Sequence, residues 1–217
     1  AMRLFALNAT RELGLSIARQ LGVDLCAHEE REFEDGEHKV RPLDVVARAD
    51  VFVIQSLHAG PSESASDKLC RLLFFIGALK DAGAASVTAI VPYLCYARKD
   101  RRTKPNDPVT TRYVAAMFEA VGVDCVVTLE VHNPAAFENA FRCRTVALTA
   151  TPLFVERALT LKDEKITVVS PDTGGAKRAE LFREVEAEGR CLDRQIGTVG
   201  RDEDVVEHIG RPCAATD

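Results

Sequence analysis

Short apolar runs recur along the chain, and between them apolar residues return every three or four positions. Arg3 to Leu7, Val51 to Gln55, Ser86 to Val91 and Cys125 to Leu129 have the length and apolar character of strands. After the first run, Leu13, Ile17 and Leu21 fall on one helical face, with Asn8 to Thr10 as its cap and Gly22 as its stop. Leu69, Leu72, Leu73, Ile76 and Leu79 make one stripe of a helix over about Asp67 to Ala82, ended by Gly83. Val114, Met117, Phe118 and Val121 are in register on a helix that begins near Thr110. Strands alternating with helices predict a parallel α/β sheet, and the unbroken apolar run Val51 to Gln55 predicts a strand covered on both faces. Leu25 to Phe33 is expected to be extended, turning at Asp35-Gly36 into a second extended piece as a hairpin. Phe74 and Phe75 fall outside the helical stripe and suggest either a subunit contact or a wide core face.

Around Arg144 to Pro152 a new unit is expected to start. It offers a helix at Pro152 to Thr160, a strand at Ile166 to Ser170, a helix at Gly175 to Glu186, a weak strand near Leu192 and a short amphipathic segment at Asp204 to His208. Two domains, 1–145 and 146–217, are the expected division. The second holds too little to close a sheet of its own, so the chain is expected to stop mid-domain.

Composition narrows the function classes. The 217 residues are 47% hydrophobic and 28% charged, with a formal net charge of -5, which argues against a general nucleic-acid binder. No apolar run approaches the ~20 residues that a membrane-spanning helix needs. The start, AMRLFALNA, lacks a charged segment followed by a long apolar one, so no signal peptide is expected, and Ala1 before Met2 has the look of a cloning scar. Seven cysteines (26, 70, 95, 125, 143, 191 and 213) are scattered, odd in number and never paired as C-x-x-C. Neither a zinc site nor a disulfide framework is indicated, and a reducing cytoplasm is the expected compartment.

Chemistry in such a sheet collects beyond the carboxyl ends of the strands. After Val91 the chain runs VPYLCYARKDRRTK, in which Arg98, Lys99, Arg101, Arg102 and Lys104 surround Asp100. Five cations there, in an acidic chain, suit a ligand with several phosphates; the competing reading is a solvated charged loop. After Leu129 come Glu130, Val131 and His132. In an extended segment residues two apart face the same way, so the carboxylate and imidazole share one cation or phosphate–metal complex, or else His132 is structural. After Ser170, the run from Pro171 through Asp172, Gly174, Gly175, Lys177 and Arg178 exposes backbone N–H groups to an anion and offers Asp172 to a hydrated metal, or is an ordinary capped turn with Asp172 as N-cap. The hairpin tip Phe33-Glu34-Asp35-Gly36-Glu37 offers an aromatic face and three acids to a base, or is a plain turn. No P-loop, dinucleotide fingerprint, nucleophile elbow or H-E-x-x-H helix is present.

These stretches, F-x-D-G-E, P-Y-x-x-Y-A-R-x-D-R, H-N-P and S-P-D-x-G-G-x-K-R-A, occur in one order from Arg3 to Ala179. In them the chain resembles the ribose-phosphate diphosphokinases, also called phosphoribosyl pyrophosphate synthetases. The resemblance implies two phosphoribosyltransferase-like α/β domains, a homo-oligomer (dimer or hexamer), Mg²⁺, and transfer of diphosphate from ATP to the 1-hydroxyl of ribose 5-phosphate. By position it implies that Phe33, Asp35 and Glu37 contact adenine across a subunit boundary, and that Arg98, Lys99 and Asp100 hold the nucleotide. It implies that His132 touches the phosphates and, with Glu130 and Asp172, belongs to the metal site, and that His132, Arg98 and Arg194 are the catalytic residues. Asp172, Gly174 and Gly175 then form the ribose-phosphate end, and Arg194 stands near the family's mobile-loop lysine.

The departures bear on activity. Lys99 replaces the family's Gln, Glu130 its Asp, and Arg142 brings a cation where an acid is expected. The V-D-D-x-x-x-T-G-G-T loop that cradles the acceptor's phosphate does not occur. The chain as it stands is therefore not expected to turn over. The alternative function is a catalytically silent homologue acting as a nucleotide-binding regulatory or structural subunit.

Overall fold

A computed structural model describes residues 1–160 and the strands Val168–Ser170, Ile196–Val199 and Val206–His208. The chain divides into two units, Ala1–Leu148 and Thr149–Asp217. In the first, β1 (Met2–Ala6) leads through a 3-10 turn at Asn8–Thr10 into α1 (Arg11–Leu21), and β2 (His28–Glu32) and β3 (His38–Pro42) form an antiparallel hairpin. Then follow β4 (Asp50–Ile54), α2 (Ala65–Asp81), β5 (Ser86–Val91), α3 (Thr110–Ala120), β6 (Cys125–Leu129), α4 (Pro134–Ala140) and β7 (Arg144–Leu148). The second unit opens with α5 (Thr151–Leu159), and β8 (Val168–Ser170), β9 (Ile196–Val199) and β10 (Val206–His208) make a three-stranded sheet of order β10-β9-β8. The expected helix at Gly175 to Glu186 and strand near Leu192 lie outside the described residues.

The large sheet has the order β1-β4-β5-β6-β7 with every neighbouring pair parallel, so all five carboxyl ends open on one edge. Its main core lies on one face, where Phe5, Val51, Val53, Val87, Ala89 and Val126 meet Leu72, Ile76 and Leu79 of α2 and Val114 and Phe118 of α3. The other face holds a small cluster of Leu4, Ala6, Ala18 and Ile54 under α1. Expected strand ends at Ser86, Val91, Cys125 and Leu129 coincide with those of β5 and β6.

Three expectations change. Only the middle of the apolar stripe of α1 faces inward: Ile17 packs partly buried beside the buried Gly14 and Ala18, whereas Leu13 and Leu21 are 40% and 56% exposed. The helix lies so close to β1 that a Cβ on Gly14 would stand 2.2 Å from the Cβ of Ala6, so only small residues fit between them. We expect Gly14→Ala to lower stability by about 1–2 kcal/mol through overpacking, read as a lower denaturant midpoint. Thr10 does not cap α1 with its side chain, because its hydroxyl is used by Gln55 and by the N–H of Ser56. Phe75 is fully buried, edge-on to Phe5 at 5.3 Å and against His28, because the hairpin covers a second face of α2. Only Phe74 remains exposed, with His38 over its ring.

The segment from Pro134 to Leu148 is more regular than its sequence suggested. Asn133 accepts from the N–H of Ala136 and Pro134 stands in the first turn of α4, a start signal visible in Asn-Pro. Arg144 to Leu148 pairs in parallel with β6 as the last strand of the first sheet, and the second unit begins at Thr149.

Candidate functional site

Each rim loop is built by its strand. Leu57, just past β4, donates its N–H to the carbonyl of Tyr93 past β5, and Leu129 at the end of β6 donates to Pro92. The three strand ends therefore run side by side into their loops. Backbone conformations rare for residues with a Cβ concentrate here: of four non-glycine residues with positive φ, Tyr96 (60°), Asn106 (65°) and Glu130 (52°) lie in the loops after β5 and β6. Such torsions are held by surrounding structure, and they gather at ligand sites.

The basic loop is organised by Asp107. Its Oδ2 accepts from Lys99 Nζ (2.7 Å), the Thr103 hydroxyl (2.7 Å) and the N–H groups of Thr103 and Lys104, and its carbonyl accepts from Arg102 Nε. These donors, the Lys99 ammonium foremost, hold the Asp107 carboxyl well below the usual carboxylate range. The loop's shape is thus kept through mild acid. Asp107→Ala should speed hydrogen exchange at the Thr103 and Lys104 amides, and unchanged protection would show that the clamp is idle.

Of the residues assigned to the nucleotide, Lys99 is engaged with Asp107, so any phosphate contact would compete with that pair. Arg98 is exposed and makes no hydrogen bond or ion pair among the described residues. Asp100 accepts from Asn133 Nδ2 at 2.8 Å, which ties the basic loop to the loop carrying His132. Arg98 and His132 therefore stand in neighbouring, cross-linked loops, with His132 exposed. The expected alternation of Glu130 and His132 does not hold, because Glu130 is left-handed and extended geometry ends at Leu129. Cys95, inside the loop, is buried, and burial pushes its thiol up to about 11. It packs rather than acting as a nucleophile.

The hairpin tip is exposed, with Arg31 over the Phe33 ring at 5.1 Å, and Phe33, Asp35 and Glu37 make no hydrogen bond or ion pair with the basic loop among the described residues. Its base is fixed from below. Glu30 accepts from the Asn8 N–H (2.6 Å), His28 Nε2 (2.8 Å) and Arg71 Nη1 (2.8 Å), and Arg71 also reaches Glu63. Asp172, Gly174, Gly175 and Arg194 lie outside the described residues. The roles of Asp107, Asn133 and the Glu30–Arg71 pair were not foreseen; only Asn133 carried a local signal, in His-Asn-Pro.

A metal here would have few protein ligands. Among the described residues no three His, Cys, Asp or Glu side chains are grouped to hold an ion. That fits Mg²⁺ arriving on a nucleotide, since it keeps several waters and takes one or two carboxylates with phosphate oxygens. Glu130 is the carboxylate that directly follows β6 at this rim. No helix among the described residues is long and apolar enough to cross a membrane.

Residues 2–122 match the family model described as the N-terminal domain of ribose phosphate pyrophosphokinase. The chain is 36% identical over 187 residues to the ribose-phosphate pyrophosphokinase of Fusobacterium nucleatum, covering 84% of this chain and 57% of that protein. It is 35% identical over 195 residues to that of Bacillus caldolyticus, covering 89% and 60%. It thus spans less than two thirds of the length of these relatives. The crystal structure of phosphoribosylpyrophosphate synthetase from Mycobacterium smegmatis matches with a TM-score of 0.83 at 30% identity, over 96% of this chain and 67% of the other. The phosphoribosyltransferase-like parallel sheet and the rim motifs thus agree with the sequence match, and the chain belongs to the ribose-phosphate pyrophosphokinase family.

Proposed function

We propose that this chain carries the nucleotide-binding half of a ribose-phosphate diphosphokinase, which transfers diphosphate from Mg·ATP to the 1-hydroxyl of ribose 5-phosphate, giving phosphoribosyl pyrophosphate and AMP. The observation that carries the reading is Arg98, an unpaired guanidinium on the carboxyl rim, in a loop clamped by Asp107 and tied through Asp100 to the His132 loop.

The arrangement suits phosphoryl chemistry, in which the protein mainly positions and neutralises. Arg98 presents a planar fork to phosphate oxygens, and His132 donates beside it. Glu130 would hold the magnesium that comes with the nucleotide, and the ion would neutralise charge on the phosphate oxygens. The sugar hydroxyl then attacks the β-phosphorus in line, its oxygen forming the new P–O bond as the bond to the AMP oxygen breaks, and its proton leaves to solvent. Asp172, Gly174 and Gly175 belong to the ribose-phosphate end of this reading, and Arg194 to the transferring group. Phe33, Asp35 and Glu37 serve the adenine of a neighbouring copy, consistent with their exposure at the hairpin tip. The exposed Phe74, Leu13 and Leu21 supply apolar surface for such a homo-oligomer. The free thiols of Cys26, Cys70, Cys95, Cys125 and Cys143 suit the reducing cytoplasm.

The test is AMP release from Mg·ATP with and without ribose 5-phosphate, alongside calorimetric titration with Mg·ATP. Mg·ATP binding by this chain, with ribose-dependent AMP release from the full-length protein, is the expected result. Binding without it would transfer the protein to the silent nucleotide-binding subunit, and no binding would end both readings.

A further inference from the structure

His58 stands in the loop after β4, the strand next to the one that feeds the basic loop; its ring is held from two sides and its backbone from a third direction. Ser56 Oγ lies 3.0 Å from His58 Nδ1. The ring meets Tyr93 edge-on at 6.4 Å between centroids. The His58 carbonyl accepts from Lys68 Nζ at 2.9 Å, and Lys68, only 4% exposed, has no acidic partner among the described residues.

Ser56 is itself buried, and its hydroxyl makes no other side-chain hydrogen bond among the described residues. A buried hydroxyl left undonated is costly, so its proton goes to Nδ1. The imidazole proton is then on Nε2, at the opposite side of the ring. Nε2 has no partner among the described residues, and the residue is exposed. A ring whose tautomer and orientation are both set, with its one donor unused, is prepared for an acceptor from outside the chain. The adjacent Lys68 charge favours an anionic one. Neighbouring strands lie about 4.8 Å apart, so the His58 and Glu130 loops start about 10 Å from each other across Tyr93, a span that the phosphates of one nucleotide bridge.

We propose that His58 is a further phosphate-binding residue of this rim, donating from Nε2 to a polyphosphate oxygen, with Ser56 as the positioning residue that fixes its tautomer. The inference rests on the nucleotide-binding reading above and names a contact the sequence left in a plain polar loop.

The experiment combines calorimetry with nitrogen NMR of the imidazole on the full chain. His58→Ala should weaken Mg·ATP binding about tenfold, the usual worth of a hydrogen bond to a charged group. His58→Gln, which keeps a donor, should recover part of that. Ser56→Ala should weaken binding less, and not at all further in the His58→Ala background. The Nε2 resonance of His58 should move on addition of Mg·ATP or tripolyphosphate and stay still with adenosine. If His58→Ala binds like the parent and Nε2 does not respond while Arg98→Ala weakens binding, His58 is a bystander and the inference is overturned, with the nucleotide site intact. If the parent binds no Mg·ATP, both readings fall together.

Discussion

Replacing Glu30 by alanine is expected to lower the free energy of unfolding by about 3–5 kcal/mol, the usual consequence of removing one partner from a buried ion pair. The Glu30 side chain is 4% exposed and that of Arg71 11%, and Arg71 Nε already lacks a partner. Without Glu30 the guanidinium keeps only Glu63, and the Asn8 N–H and His28 lose their acceptor. Burial alone would raise the carboxyl's pKa, but the hydrogen bonds from His28, Arg71 and the Asn8 N–H outweigh it and hold Glu30 below its ordinary value. A group ionised more readily when folded stabilises fully above its unfolded pKa, and that contribution disappears as the pH falls through the lower folded value. The gap between parent and Glu30→Ala should therefore be constant near neutrality and narrow in acid. Urea midpoints across that range, at unchanged slope, are the measurement. A shift no larger than that of an exposed substitution would mean that Arg71 finds other compensation.

That network also shows where the sequence stopped being informative. Glu30 and Arg71 are forty-one positions apart, and each sits in a segment whose local pattern reports only strand or helix. The same holds for Phe75: the helical stripe of α2 was legible, but its second covered face depends on where a distant hairpin lands. Local order was readable where one residue type dominates. The largely apolar runs of β5 and β6, each preceded by a glycine at positive φ (Gly83 and Gly122), gave their limits directly. Close approach defeated the pattern in α1, since a helix pressed onto a strand buries glycine and alanine and leaves its leucines outside. At the rim, motif order placed Arg98, Asp100 and His132 in adjoining loops. A run of five cations could not disclose that Lys99 has a partner eight residues on, and extended alternation could not foresee a left-handed Glu130.

Arg98→Ala should weaken Mg·ATP binding by about 1.5–3 kcal/mol, roughly 10- to 100-fold, because the fork it presents makes charge-assisted bonds to phosphate that water replaces poorly. Stability should hardly move, within about 0.5 kcal/mol, since the side chain is exposed and has no partner among the described residues to leave behind. That separation of binding from folding sets it apart from Glu30→Ala, whose main effect falls on folding. Arg98→Lys should restore only part of the affinity, because a point charge cannot reproduce two parallel bonds. Raising ionic strength should narrow the difference between parent and Arg98→Ala, as screening weakens an exposed contact. Calorimetric titrations of the three proteins at two salt concentrations read all of this at once. Equal affinities would make the basic loop a solvated surface, and the polyphosphate site would then have to be sought among residues other than the rim cations.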